Sequence, residues 1–150
     1  MSLKEQLQTD WKIALKARES FKTSVLSMAR AAIINEEKNN NKGSNLDDEQ
    51  VVTVISKEVK MRRDAIIEFK KGNRQDLVDS TNQEVNILLG YLPQQLNENE
   101  IAEIINNAVK ELDAKGIKDM GKVMSVVNPK TKGRADGKLV SQIVKNCLSN

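Results

Sequence analysis

Lys130, Lys132 and Arg134 alternate over five residues of the connector Asn128-Pro129-Lys130-Thr131-Lys132-Gly133-Arg134, with Lys122 ahead of it and Lys138 behind. Lysine and serine chemistry stays open in such a sequence, but nothing at this spacing singles out a nucleophile or an acid–base pair. These cations suit contact with a phosphate backbone. Pro129 and Gly133 would shape the connector as a turn between two short helices, gathering the cations on one ridge. Asp136 would cap the second helix, whose first amides and positive dipole end add donors. The surrounding charge is lopsided. Residues 97–114 carry Glu98, Glu100, Glu103, Glu111 and Asp113 against Lys110, whereas residues 115–150 carry eight cations against Asp119 and Asp136. The whole chain is only +3, so the local asymmetry is the signal. Turn-plus-lysine patterns also occur on plainly solvated faces, so charge alone leaves both readings open.

Other chemistry is limited by composition. There is no histidine and one cysteine, Cys147, so an intrachain disulfide, a Cys/His metal site and a histidine-based triad are all impossible. Cys147 falls on an apolar helical stripe and reads as a small core residue. No GxxxxGK[ST] or GxGxxG loop is present. The acidic groups Glu36-Glu37 and Asp47-Asp48-Glu49 fall at a helix end and a helix start, where structural roles explain them. No catalytic residue, cofactor or metal is therefore expected. Aromatics are 3% of the chain, too few for a base-stacking platform. No apolar run of signal-peptide length opens the sequence and no window approaches ~20 apolar residues, so a cytoplasmic protein without a membrane partner is expected.

The elements that would position the cations are helical throughout. Leu3, Leu7, Trp11, Ala14 and Leu15 share a face of a first helix starting near Ser2, with Trp11 a core anchor. A second helix over 20–38 turns Phe21, Val25, Met28, Ala29 and Ala32 to one side, widened by Leu26, Ile33 and Ile34. A polar loop over 39–45 follows. The third helix opens on Asp47 and Gln50, a capping box, with Leu46 and Val51 as staple. It buries Val51, Val52, Ile55, Val59, Ile66 and Phe69, and Gly72 is its C′ candidate. A fourth helix over 74–92, with Leu77, Val85, Leu88 and Leu89, stops before Pro93.

Residues 93–97 are the domain boundary, giving an N-terminal helical domain over 1–93 and a C-terminal three-helix domain over 94–150. Asn97 and Glu100 form a second capping box, with Leu96 and Ile101 as staple. Ile101, Ile104, Ile105, Ala108 and Leu112 follow, and Gly116 ends that helix. Asp119 would cap a short helix carrying Met120, Val123, Met124 and Val127. Gly121 costs it about 1 kcal/mol relative to alanine and would either admit a close backbone or be tolerated. Leu139, Val140, Ile143, Val144 and Cys147 form the last stripe. A second basic set, Lys57, Lys60, Arg62, Arg63, Lys70 and Lys71, lies on the third helix and reads partly as surface ion pairing. Arg30 and Arg74 are candidates for bridges to Glu84 or Asp76 between helices.

These residues resemble the YqeY family. The matching stretches, in order, are Arg30-Ala31-Ala32-Ile33-Ile34-Asn35-Glu36, Arg74-Gln75-Asp76-Leu77, Tyr91-Leu92-Pro93-Gln94-Gln95-Leu96, Asp119-Met120-Gly121-Lys122-Val123-Met124 and Gly133-Arg134-Ala135-Asp136-Gly137-Lys138. The family's C-terminal part is similar to the tail domain of the B subunit of the tRNA-dependent Asp/Glu amidotransferase, and related domains are appended to some glutaminyl-tRNA synthetases. The resemblance implies an all-α fold and a role near tRNA, since that tail helps hold the outer elbow of tRNA. Carried over, Lys122, Lys132, Arg134 and Lys138 become phosphate contacts, joined by Lys130 on charge alone. Gly121 and Gly133 become structural, and Asp136 keeps its capping role. Thr81 stands where a glutamate is expected and Asn73 where glycine is common, which weakens any polar site in the N-terminal domain. The kinase-like body and the glutaminase are missing, so transamidation is not implied. The expectation is a stand-alone, non-catalytic, tRNA-associated accessory protein. The alternative is a helical adaptor docking on a synthetase or amidotransferase.

Overall fold

The structure, a computed structural model, describes residues 1–40 and 45–149. Among them are seven α-helices and no strand. α1 (Leu3–Lys16), α2 (Ser20–Asn39), α3 (Asp48–Lys71) and α4 (Gln75–Leu89) belong to one compact unit, Met1–Leu92. α5 (Glu98–Leu112), the 3-10 turn Ile117–Asp119, α6 (Met120–Thr131) and α7 (Gly137–Ser149) belong to a second, Pro93–Asn150. The chain is all-α.

In the first unit α1 pairs with α2 and α3 with α4, and α2 also packs on α3 and α4. Leu7, Leu26, Ile33, Val51, Ile55 and Leu88 are its most enclosed side chains. The helix starts obey local chemistry. Ser2 with Glu5, and Asp47 with Gln50, form reciprocal capping boxes. Each satisfies two amides that the helix leaves without intrahelical partners. Leu15, Phe21, Met28 and Ile34 were expected in the stripes but are 52%, 42%, 43% and 42% exposed. Each helix has a narrower covered arc than its run of apolar residues. Ala14 is the buried member of α1's last turn, and Val25, Leu26, Ala29 and Ile33 are those of α2. Trp11 is half-buried rather than enclosed, and its Nε1 donates to Ser27 Oγ at 2.7 Å. Of the loop expected over 39–45, Asn39 closes α2, and residues 41–44 lie outside the described set.

The helix ends differ more from expectation. Three helices close with left-handed residues that are not glycine: Arg18 (φ 60°), Asn73 (φ 56°) and Asp113 (φ 50°). Each motif returns two amides to the helix, as Arg74 N–H to Phe69 O (2.9 Å) and Asn73 N–H to Lys70 O (3.1 Å) do after α3. Gly72, expected at C′, is one residue early with an ordinary φ of −86°. Gly116 does not end α5 either, since Asp113 does so. α4 stops at Leu89, three residues before the expected end, and Tyr91 turns inward. Thr81, at the position of the expected glutamate, is buried on the core side of α4.

In the second unit the Asn97–Glu100 capping box starts α5. Ile101, Ile105, Ala108, Val123, Val127, Val140, Val144 and Leu148 form a core shared by all three helices. Leu112, expected in the stripe, is 38% exposed. Asp119 does not cap α6 with its side chain; its carboxylate accepts the Lys115 N–H at 2.8 Å instead. Cys147 is half-buried against the core. α6 continues through Pro129 to Thr131, so the connector is shorter than the sequence suggests. Val123, Val127 and Thr131, four residues apart, are all buried, and that packing carries the helix past the proline.

Candidate nucleic-acid interface

Thr131 ends α6 inside the core, and its hydroxyl donates back to Val127 O at 3.2 Å. A buried hydroxyl is thereby satisfied by its own helix. Lys132 follows, exposed, and then Gly133 takes a left-handed φ of 74° while buried. A side chain at that φ would be strained, which makes Gly133 a structural residue of this turn.

The turn is held by the segment 93–96 on the same unit. Gln95 Nε2 donates to Gly133 O at 2.8 Å and to Pro93 O at 3.0 Å. Leu96 N–H donates to Arg134 O at 2.8 Å. Arg134 Nε–H donates to Gln94 O at 3.3 Å. Asp136 then starts α7: its carboxylate accepts the Lys138 N–H at 3.1 Å and its carbonyl the Val140 N–H at 3.0 Å. The first amides of α7, expected to add donors beside the cations, are thus partly spent on Asp136.

Lys130, Lys132, Arg134 and Lys138 flank this one turn, from the last residues of α6 to the second residue of α7. Lys122 lies eight residues before Lys130 on α6, about 12 Å back along the axis. Lys122, Lys130, Lys132 and Lys138 are exposed, while Arg134 is half-buried. Among the described residues no carboxylate pairs with Lys122, Lys130 or Arg134. Gly121 is exposed, and a Cβ there would meet nothing within 4 Å, so no backbone approach inside the unit explains it. Gln94, Gln95 and Leu96 were read from sequence as a boundary, a family-like stretch and, for Leu96, a staple to Ile101, but not as a support for this turn. Their partners lie 38 to 40 residues away, beyond any local spacing rule.

The second basic set behaves differently. Arg62, on α3, pairs with Glu58 and with Glu84 of α4, each at 3.3 Å, with its side chain 12% exposed. Lys71 pairs with Glu68. Glu84 is therefore engaged by Arg62, not by Arg30, whose guanidinium lies 4.1 Å over the Trp11 ring. Arg74 pairs with Asp76, two residues on, and joins no two helices. Two further polar contacts anchor this unit. Tyr91 Oη donates to Asp10 at 2.6 Å, and burial, with that carboxylate, raises the phenol's pKa well above its ordinary value. Lys4 reaches Glu37 at 2.7 Å; its hydrogen bond, helped by Leu46 N–H, holds the carboxyl below its ordinary range. Among the described residues no cluster of acids and cysteine could hold a metal ion, and no helix is long and apolar enough to cross a membrane.

Comparison with known proteins agrees over nearly the whole chain. The profile of the family described as "Yqey-like protein" matches residues 4–148. Three similar proteins all carry the name "Altered inheritance of mitochondria protein 41, mitochondrial". The one from Pyrenophora tritici-repentis is 29% identical, over 95% of this chain and 79% of its own length. That from Lachancea thermotolerans is 32% identical over 71% of this chain and 57% of its own length. That from Kluyveromyces lactis is 30% identical over 66% and 55%. The chain thus spans little more than half the length of the last two.

Proposed function

The chain belongs to the YqeY family, and on that footing we propose that it is a non-catalytic accessory protein that binds tRNA through the phosphate backbone, using its C-terminal unit. The observation that carries this reading is the cluster Lys130, Lys132, Arg134 and Lys138 on one turn, with Lys122 behind it. Lys122, Lys130 and Arg134, with no carboxylate partner among the described residues, keep their field for an outside anion. Phosphate contacts of this kind position a nucleic acid without reading its sequence. The contacts would recognise shape and charge, in keeping with the scarcity of aromatic side chains. The named relatives are mitochondrial proteins by their names, so a mitochondrial setting stands beside the cytoplasmic one. Both contain tRNA.

Titration of labelled bulk tRNA by fluorescence anisotropy tests this. The affinity should fall steeply with salt and should collapse in the double variant Lys132→Ala/Arg134→Ala. Absent or salt-insensitive binding contradicts it.

A second reading is an adaptor that docks on a synthetase or amidotransferase. Leu112 and Ile117, 38% and 49% exposed in the C-terminal unit, favour it. Capture of a protein partner that survives nuclease and high salt would support this reading over the first.

A further inference from the structure

Resting on the RNA reading, we infer that the segment 93–96 is a clamp that presets Arg134 to take one backbone phosphate on its outer edge, with Gln95 as the positioning residue. Arg134 differs from the four lysines around it. Its main-chain carbonyl is held by Leu96 N–H and its Nε–H by Gln94 O, so both ends of the residue are tied to one short stretch outside the helices. The residue before it, Gly133, is buried and left-handed, and Gln95 Nε2 fixes its carbonyl at 2.8 Å.

A guanidinium has five N–H donors in a rigid plane. Here the Nε donor is spent inside the protein, and among the described residues no carboxylate takes the two Nη groups. What is left is a flat two-nitrogen edge, matched to two oxygens of one phosphate. Lys122 and Lys130 are different: exposed ammonium groups on long stems supply charge without a fixed plane. In the geometry, then, the lysines give the ion-release part of the affinity. Arg134 gives an oriented contact, whose strength depends on the clamp and not on charge alone.

Two substitutions separate these roles in the full chain. Arg134→Lys keeps the charge and removes the fork. Gln95→Ala removes no charge and takes the side chain off Gly133 O. Titration with bulk tRNA across a salt series should show Arg134→Lys weakened on the order of tenfold, the value of a hydrogen bond to a charged group. Gln95→Ala should be weakened severalfold. In both, the slope of log affinity against log salt should stay at the wild-type value, and the circular-dichroism spectrum should show both variants fully folded at the assay temperature, although the melt of Gln95→Ala is lowered by the loss of its bond to the buried Gly133 carbonyl. Proton–nitrogen NMR should show the Arg134 Nε–H slowly exchanging in the wild type and fast in Gln95→Ala.

Wild-type affinity in both variants overturns the clamp and leaves the RNA reading intact. If the wild type binds no RNA, the RNA reading falls and inorganic phosphate becomes the probe. A phosphate-dependent shift of the Arg134 Nε–H signal that Gln95→Ala abolishes would then support the clamp, and no shift would overturn it.

Discussion

Replacing Lys130 by alanine removes one charge from the exposed end of α6 and touches no core residue. Its effect can be worked out from the number of cations at the turn. Each phosphate neutralised contributes roughly 0.7–0.9 to the slope of log affinity against log salt. Five contacts, from Lys122, Lys130, Lys132, Arg134 and Lys138, give a wild-type slope of about −3.5 to −4.5. Between about 50 and 200 mM salt, affinity should then drop by roughly 100- to 500-fold. Lys130→Ala should flatten the slope by roughly 0.7–0.9. Its affinity deficit should therefore shrink as salt rises. Stability should change by less than about 0.5 kcal/mol, as for a surface substitution away from caps and ion pairs. Lys12→Ala, an exposed change on α1, is the matched control and should leave the slope unaltered. The assay is an anisotropy titration of bulk tRNA at four or more salt concentrations. Equal slope losses from Lys12→Ala and Lys130→Ala would refute the reasoning, because binding would then follow total charge and not this turn.

Three further outcomes test the scaffold. Tyr91→Phe removes the 2.6 Å hydrogen bond to Asp10 and should cost about 1.5–3 kcal/mol in a denaturant melt. Because the folded phenol's pKa is raised, the unfolded chain loses its proton first as pH rises past about 10, so wild-type stability should fall there and the variant's should not. Tyr91 is the only tyrosine, so phenolate absorbance at alkaline pH should appear only on unfolding. Lys4→Met should flatten the acid limb of stability. Glu37 is held below its ordinary pKa chiefly by Lys4, so it stabilises the fold above the unfolded carboxylate pKa, and this is lost as pH falls through the folded one. Arg18→Gly should stabilise by roughly 0.5–1 kcal/mol in the same melt, by relieving a left-handed arginine at φ 60°.

What could be read from the sequence was what short range decides. Asp47 with Gln50 and Asn97 with Glu100 cap as read, because a capping box spans four residues. The helices follow from their apolar spacing. The exposure of Leu15, Phe21, Met28 and Ile34 could not be read, since spacing marks an apolar stripe and only neighbours decide how much of it is covered. Pro129 misled for a related reason: its local preference lost to the burial of Thr131 one turn beyond Val127. At the candidate interface the cations were visible as a charge run. The ties from Gln94, Gln95 and Leu96 were not, because they join residues 38 to 40 positions apart. Gly133 was read as structural, and its left-handed, buried turn supplies the reason.

The proposal that the α6–α7 turn is where RNA lies is tested most directly by ultraviolet crosslinking in cell extract, with both the attached RNA and the attached peptides identified. The account predicts tRNA fragments joined to peptides from the stretch 122–138. Crosslinks confined to α3, around Lys57, Lys60 and Arg63, or no RNA at all, would contradict it.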